Sequence, residues 1–315
     1  MTSTAPPPLI VITGPTATGK TRLAARVARE SGGEVISADS RQVYRGMDLG
    51  SGKDLNDFLI DGEKVPHHLI DIAEAGGEYN VFAFQQDFLD AYRKILSRNN
   101  QPVLCGGTGL YIEAAIGKYR LLKVPKNSIL RKQLSGKPME ELAAMLKELK
   151  PLHNTTDTND KDRLMRAIEI ETYQLANQDK ILDYPKLDPV LFAIWFDRKV
   201  LRERITHRLA RRLEQGMTDE VKGLLDQGLR PEQLIFYGLE YRYLTLYVTG
   251  KLSYDEMFRN LNTAIHQFAK RQMTWFRRME RSGHPIHWID GDLSMEEKVR
   301  YVLNHTKGNP GNPGK

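Results

Sequence analysis

Short apolar runs alternate with amphipathic, helix-period segments. A glycine-bounded loop joins the first run to the first helix, and a charged helical stretch interrupts the pattern mid-chain. Together these predict an α/β protein: a P-loop parallel sheet flanked by helices, with a small all-helical insert domain. Strands alternating with helices form right-handed βαβ units, and ligands on such sheets sit at the carboxyl ends of the strands.

PLIVIT (Pro8–Thr13) reads as a short buried strand closed by a turn, and TRLAARVARE (Thr21–Glu30) as a helix. GGEVISAD (Gly32–Asp39) is a turn followed by a strand. HHLIDI (His67–Ile72) and QPVLCGGT (Gln101–Thr108) are further apolar runs with turn signals. Between them, EYNVFAFQQDFLDAYRKIL is a loop entering an amphipathic helix that runs to Leu96. After Lys123 the chain becomes charged, helical in period and poor in β-branched runs as far as about Leu182. VLFAIWF (Val190–Phe196) returns to the sheet, and Leu201–Arg281 is helical again. The expected organisation is a catalytic core of 9–124 and 188–305 ending in helices, and a helical insert of 125–187. Residues 1–8 and 306–315 are expected to be disordered.

At 315 residues, with 40% hydrophobic and 27% charged side chains, the composition is that of a soluble globular protein. No apolar run approaches the ~20 residues that cross a bilayer, so no membrane partner is expected. The opening MTSTAPPPLI lacks the basic and apolar regions of a secretory signal. The single cysteine, Cys105, forbids an intrachain disulfide and fits a reducing compartment, so a cytoplasmic location is expected. The net charge is +6, and Val190–Ser282 holds 17 Lys/Arg against 11 Asp/Glu, an excess of the same six. That local excess fits either a polyanion partner or a merely soluble basic surface.

Gly14-Pro15-Thr16-Ala17-Thr18-Gly19-Lys20-Thr21 matches G-x-x-x-x-G-K-[ST] between a strand and a helix. Its backbone N–H groups can turn around phosphate oxygens, and the helix N-terminus adds partial positive charge. Lys20 can reach the outer phosphates and the Thr21 hydroxyl can ligate Mg²⁺. The motif does not say which phosphate is bound, and an NTPase or small-molecule kinase is its default. Asp39, ending the second strand, would face this loop where an acceptor's proton is taken. On position alone it equally fits a turn or helix-cap aspartate. Thr108, in CGGTGLY, would offer a hydroxyl at the same edge or belong to a tight strand-to-helix turn. Cys105 reads as a core residue without a base partner. His266 reads as a surface or core histidine, since no second metal ligand stands at helical spacing.

GPTATGKT, ISADSRQVYRGMDLGSGK, VPHHLIDI, GGTGLYI, NDKDRLMRAIE, DRKVLRERITHRL and FAKRQMTWFRR occur in the order seen in bacterial tRNA dimethylallyltransferases. From about Leu9 to Met279 the chain resembles that family. The resemblance implies transfer of the prenyl group of dimethylallyl diphosphate to N6 of adenosine 37 in tRNA. The P-loop would then hold a diphosphate leaving group, with Mg²⁺, and Asp39 would orient the amine and accept its proton. It also implies that Thr108 and Arg208 contact the donor's diphosphate, with Arg204 one helical turn before Arg208. By the same resemblance Asp39, Ser40, Arg41 and Gln42 meet the substrate base. Arg131 and Arg163 to Arg166 contact the tRNA, around its anticodon stem-loop, and a monomer is the expected state. In KRQMTWFRR, Lys270, Arg271, Arg277 and Arg278 suit RNA phosphates, whereas Trp275 and Phe276 read better as core. The base must leave its stack to reach a buried donor.

The sequence departs from the family in four places. The insert is compact, Asp54 replaces the usual proline after the lysine, and Tyr237-Gly238-Leu239-Glu240 stands for Gly-Tyr-Lys-Glu. Ile265-His266-Gln267-Phe268 replaces a Thr-Arg-Gln-Tyr opening. Three rival readings stay open: an adenylate isopentenyltransferase acting on free AMP, ADP or ATP, a P-loop small-molecule kinase, and an RNA-binding protein with a vestigial P-loop. The insert and basic third argue against the first rival. Phosphate release from ATP without a prenyl donor would mark the second. The complete Lys20, Thr21 and Asp39 set argues against the third.

Overall fold

A computed structural model describes residues 6–119, 121–149, 160–177 and 184–307. Of the expected disordered ends, 1–5 and 308–315 lie outside the described residues, as do 150–159 and 178–183 of the expected insert. The chain forms two compact units, one of 1–118 with 186–315 and one of 119–185.

Among the described residues the larger unit has eight strands: β1 (Leu9–Thr13), β2 (Gly33–Ser37), β3 (Leu59–Ile60), β4 (Glu63–Lys64), β5 (His67–His68), β6 (Gln101–Gly106), β7 (Pro189–Trp195) and β8 (Ile286–Asp290). Six of them make one sheet in the order β5-β2-β6-β1-β7-β8, every pairing parallel. β3 and β4 form a separate antiparallel pair. All five residues of β1 are buried, as expected of a parallel strand covered on both faces. One covering layer is α1 (Lys20–Glu30), whose Leu23, Ala24, Val27 and Ala28 pack on Ile10, Val35 and Val103. α2 (Val81–Ser97) and α3 (Gly109–Ala115) flank the β6 side.

The C-terminal third supplies a second core. It comprises α7 (Arg198–Glu214), α8 (Met217–Asp226), α9 (Pro231–Phe236), α10 (Leu239–Val248), the long α11 (Tyr254–Arg281) and the final α12 (Met295–Lys307). Leu209, Val221, Leu244 and Leu261 meet Tyr44 and Met47 there. Between α11 and α12 the structure adds β8, which the sequence reading had not placed among the strands. Only Ile286 and Ile289 of its five residues are buried, so its apolar signal is short. HHLIDI also differs: only His67 and His68 pair with β2. Leu69 and Asp71 take φ of 62° and 56°, which turns the chain so that Ile72 and Ala73 donate to Val43 O.

The smaller unit contains α4 (Ser128–Ser135), α5 (Met139–Leu149) and α6 (Lys161–Ala176) around Leu134, Leu142, Leu146, Leu164 and Ile168. Its polar centre is Glu169, 2% exposed. Glu169 accepts from Arg131 Nε and Nη2, both at 3.2 Å, from Arg166 Nη1 at 2.5 Å and from Asn127 N at 2.5 Å. Burial by itself would raise this carboxyl, but the Arg131, Asn127 and Arg166 bonds outweigh it and hold the group at about 2. A carboxyl depressed below its ordinary 4.5 stabilises the fold above that pH and loses the contribution as pH falls toward about 2. Hydrogen exchange should therefore show α4 and α6 losing protection across that window. Glu169→Gln should lose protection already at neutral pH and show little further dependence. A variant with the wild-type profile would remove Glu169 from this role.

Candidate active site

The turn after β1 is held open by its own backbone. Gly14, Ala17 and Gly19 have φ of 147°, 65° and 80°, all in the region where glycine is favoured. A Cβ at Gly14 would stand 2.8 Å from Ile194 O, so the loop also needs glycine for its approach to β7. Gly19 caps α1 without a side-chain bond, which leaves the first-turn N–H groups for an anion. Thr18 Oγ1 donates to Pro15 O at 2.9 Å and Lys20 Nζ reaches the same oxygen at 3.4 Å. Gln272, on α11, clamps the loop. Its Oε1 accepts from Thr16 N at 2.9 Å while its Nε2 donates to Gly107 O at 2.8 Å. The turns after β1 and β6 are thereby fixed to each other.

Asp39 stands two residues past β2 and lines a small cavity with Lys20, Thr21, Ser37 and Cys105. Its Oδ1 accepts Arg41 N at 2.9 Å, so it is a turn aspartate as well as a neighbour of the P-loop. Burial draws the Lys20 ammonium below the ordinary lysine range, Arg208 adds to this, and Cys105 and Asp39 oppose it. Cys105 belongs to the core, and burial pushes its thiol up to about 12. Thr21 lines the same small cavity as that thiol.

An open cleft of about 730 Å³ runs from Lys20 and Thr21 past Asp54 and Asp57 to Arg204 and Arg208. Arg204 Nε donates to Ala17 O at 2.9 Å, with its guanidinium 4.4 Å from the Phe196 ring centre. Arg208 Nη1 donates to Thr16 Oγ1 at 3.0 Å and Nη2 to Asp54 Oδ2 at 2.9 Å. The segment carrying Asp54 is tied down twice. Glu220 accepts the N–H groups of Asp48, Leu49 and Gly50 at 2.9, 2.6 and 3.0 Å. The Lys53 ammonium, with no exposed side-chain surface, bonds Tyr44 O at 2.6 Å, Asp48 Oδ1 at 2.7 Å and Asp71.

The structure thus brings the P-loop, Asp39, Arg204 and Arg208 to one edge of the sheet. Thr108 begins α3 without using its hydroxyl as a cap. Ser40 and Arg41 are half-buried beside Asp39, whereas Gln42 is bonded to Ser37 at 3.0 Å and Gly52 at 3.2 Å. Lys270, Arg271 and Arg277 are exposed on α11. Arg278 is engaged instead: it donates to Glu113 at 2.8 Å and lies 4.0 Å over the Trp275 ring. Phe276 is buried in the core, while Trp275 is half-buried against Gly109, where a Cβ would meet its ring at 2.1 Å. In the smaller unit Arg163 is exposed, but Arg131 and Arg166 are committed to Glu169. Tyr237, in the departing Tyr237-Gly238-Leu239-Glu240 stretch, bonds Gly76 N at 2.7 Å and Gly77 O at 2.8 Å.

Sequence reasoning missed Gln272, Asp54, Arg212 and Glu220. Two carried a signal: Gln272 and Arg212 are polar residues at buried positions of otherwise apolar helix stripes. Asp54 stood out only as a departure from the family pattern, and Glu220 carried no signal, since it sits among ordinary surface charges.

A parallel sheet whose first strand feeds a phosphate loop, faced by arginines and an aspartate, defines a P-loop enzyme that handles a phosphate or diphosphate group. A family profile described as IPP transferase matches residues 42–279, and one described as Isopentenyl transferase matches 7–66. The chain is 55% identical over 299 residues to tRNA dimethylallyltransferase 2 of Bacteroides fragilis, covering 95% of this chain and 98% of that one. It is 53% identical to tRNA dimethylallyltransferase 2 of Phocaeicola vulgatus, covering 95% and 98%. The crystal structure of full-length tRNA isopentenylpyrophosphate transferase from Bacillus halodurans superposes with a TM-score of 0.70 at 32% identity, covering 96% of each chain. A eukaryotic dimethylallyltransferase acting on tRNA, at 24% identity and TM-score 0.78, shares the fold. The chain belongs to the tRNA dimethylallyltransferase family, the IPP transferases. Among the described residues no helix is long and apolar enough to cross a membrane.

Gln272→Ala removes the partner of the part-buried Thr16 N and of the buried Gly107 O and frees the P-loop from the β6 turn. Calorimetry should show inorganic diphosphate bound about tenfold more weakly, a loss of about 1.4 kcal/mol. Unchanged binding would mean that the loop holds its shape without the clamp.

Proposed function

We propose that this protein transfers the dimethylallyl group of dimethylallyl diphosphate to N6 of adenosine 37 in tRNA, beside the anticodon, releasing diphosphate. The observation that carries the reading is that Lys20 lines one cleft with Arg208 and a small cavity with Asp39, in a chain of this family. In a chain of this family, a carboxylate beside the P-loop is placed to orient an amine and take its proton as the diphosphate leaves.

The allylic C–O bond breaks with its electron pair passing to the diphosphate oxygen. P-loop amides, Lys20 and Arg208 neutralise the charge that develops there. Thr108, at the start of α3, adds a hydroxyl donor on the same side. The adenine N6 forms the new bond to the allylic carbon and its proton passes to Asp39. Adenine N6 is a weak nucleophile, because its lone pair is delocalised, so orientation by Asp39 matters as much as basicity. Mg²⁺ would be held at Thr21, whose side chain lines the cleft beside Lys20. Mg²⁺ keeps much of its water shell and takes phosphate oxygens, so it needs no protein cage here. When bound, it supplies further charge neutralisation on the departing diphosphate.

The target base reaches Asp39 by leaving the anticodon-loop stack, which is cheapest from a single-stranded loop. Ser40, Arg41 and Gln42 form the wall it meets. Arg163, Lys270, Arg271 and Arg277, all exposed, are the contacts we assign to tRNA phosphates. In the smaller unit we assign Arg131 and Arg166 to tRNA as well, with Glu169 fixing their guanidiniums in place. We take the protein to act as a monomer. The lone buried cysteine suits the cytoplasm.

Asp39→Asn should lower kcat by about 10²- to 10⁴-fold with tRNA affinity retained, read by single-turnover transfer and filter binding. Near-normal turnover would remove Asp39 from the chemistry. Lys20→Ala should raise KM for dimethylallyl diphosphate far more than the Kd for tRNA. Equal losses in both would mean a misfolded variant.

A further inference from the structure

Asp54 is shared by two arginines. Its Oδ2 accepts from Arg208 Nη2 at 2.9 Å, while Arg212 Nη2 lies 2.9 Å from Oδ1 and 3.0 Å from Oδ2. Arg208 has spent its other terminal nitrogen on Thr16 Oγ1 in the P-loop, at 3.0 Å. Each terminal nitrogen thus already serves one protein oxygen and keeps one N–H. A diphosphate that takes Arg208 in a bidentate fork competes with Asp54 for the Nη2 edge. Asp54 lines the same cleft as Lys20, Thr21, Arg204 and Arg208, so the exchange needs only a short movement.

The surroundings are built for this arrangement. Gly52 lets the backbone pass close, since a Cβ there would stand 3.0 Å from Arg212 Nη1 and 3.1 Å from Arg208 Nη2. Glu220 and Lys53 fix the segment on either side of the approach. Arg212 is 5% exposed and has a second carboxylate near it: Glu240 shares a small cavity with Arg208 and Arg212. Arg212 Nε has no hydrogen-bond partner among the described residues. If Asp54 releases Arg208, Arg212 keeps both its bond to Asp54 and the Glu240 field. Burial alone would raise the Asp54 carboxyl, but Arg212 and Arg208 hold it below the usual range, so it is an anion at neutral pH.

We infer that Asp54 is a built-in competitor of the donor's diphosphate for Arg208, setting how tightly diphosphate is held before and after transfer. The inference rests on the reading that the P-loop holds the prenyl diphosphate. A free diphosphate carries more charge on its leaving oxygen than the esterified donor does. Arg208 therefore favours the leaving group over Asp54 most strongly as the C–O bond breaks, which is stabilisation weighted toward the transition state. Asp54 acts through Arg208 and is a positioning residue.

The test is calorimetric binding of inorganic diphosphate with Mg²⁺ to wild type, Asp54→Asn, Arg208→Ala and the double variant, with Lys20→Ala alongside. Asp54→Asn should bind diphosphate about tenfold more tightly, lower KM for dimethylallyl diphosphate by a similar factor, and lower kcat through slow product release. In the Arg208→Ala background the substitution should change binding less than twofold. Weaker or unchanged binding by Asp54→Asn would overturn the inference, because a residue that merely supports the fold or aims Arg208 gives that result. Equal tightening without Arg208 would also overturn it, since general charge repulsion would then suffice. Diphosphate binding insensitive to Lys20→Ala would instead defeat the underlying reading of the P-loop. Should Asp54→Asn leave Arg212 too poorly compensated to fold, Asp54→Asn/Arg212→Met carries the same expectation.

Discussion

One side chain, Gln272, ties the phosphate loop to the turn after β6. Thr16 N reaches across 256 residues of sequence to its Oε1, and its Nε2 holds Gly107 O. A loop of inward-turned N–H groups repels itself, and glycine makes it pliable as well. The bond from α11 supplies the rigidity that the loop's own residues cannot. It also explains why the C-terminal helices belong to the catalytic unit and are not an appendage. Arg204 and Arg208 from α7 add two further ties, to Ala17 O and Thr16 Oγ1.

The second constraint is charge. Lys20, Arg204, Arg208 and Arg212 face one edge of the sheet, and Asp39, Asp54, Asp57 and Glu240 face it too. Burial raises the Asp57 carboxyl, and neighbouring Asp54 raises it further. Burial likewise raises Glu240 against the pull of Arg212 and Arg208. A site of cations alone would bind a highly charged diphosphate tightly and release it slowly. Interleaved carboxylates keep the cations ordered while leaving each open to exchange.

Much of this was legible in the sequence. The P-loop, its flanking strand and helix, and the strands ending near Asp39 and Cys105 follow from local pattern, because β1, β2 and β6 are continuous apolar runs closed by turn residues. β8 was not legible, since a five-residue edge strand with two buried positions reads as loop. Nor was the true length of β5, which the left-handed residues Leu69 and Asp71 cut short. At the site, motif residues could be named, but the groups that hold them could not. Asp54, Glu220 and Gln272 act across 154 to 256 residues of sequence, and no local spacing encodes such a partner. The same limit applies to Arg131, Arg166 and Arg278. Their positions suit RNA, and the structure shows each also neutralising a buried carboxylate.

The central claim is that the phosphate held by the P-loop is a leaving group and not a group transferred. Dimethylallyl diphosphate carrying ¹⁴C in the prenyl chain and ³²P in the diphosphate, incubated with the protein, Mg²⁺ and unmodified tRNA, tests it in one tube. The account predicts ¹⁴C in tRNA at the adenosine beside the anticodon, with all ³²P recovered as inorganic diphosphate. Phosphorus label in the acceptor, or no prenyl transfer while added ATP is consumed, would contradict it.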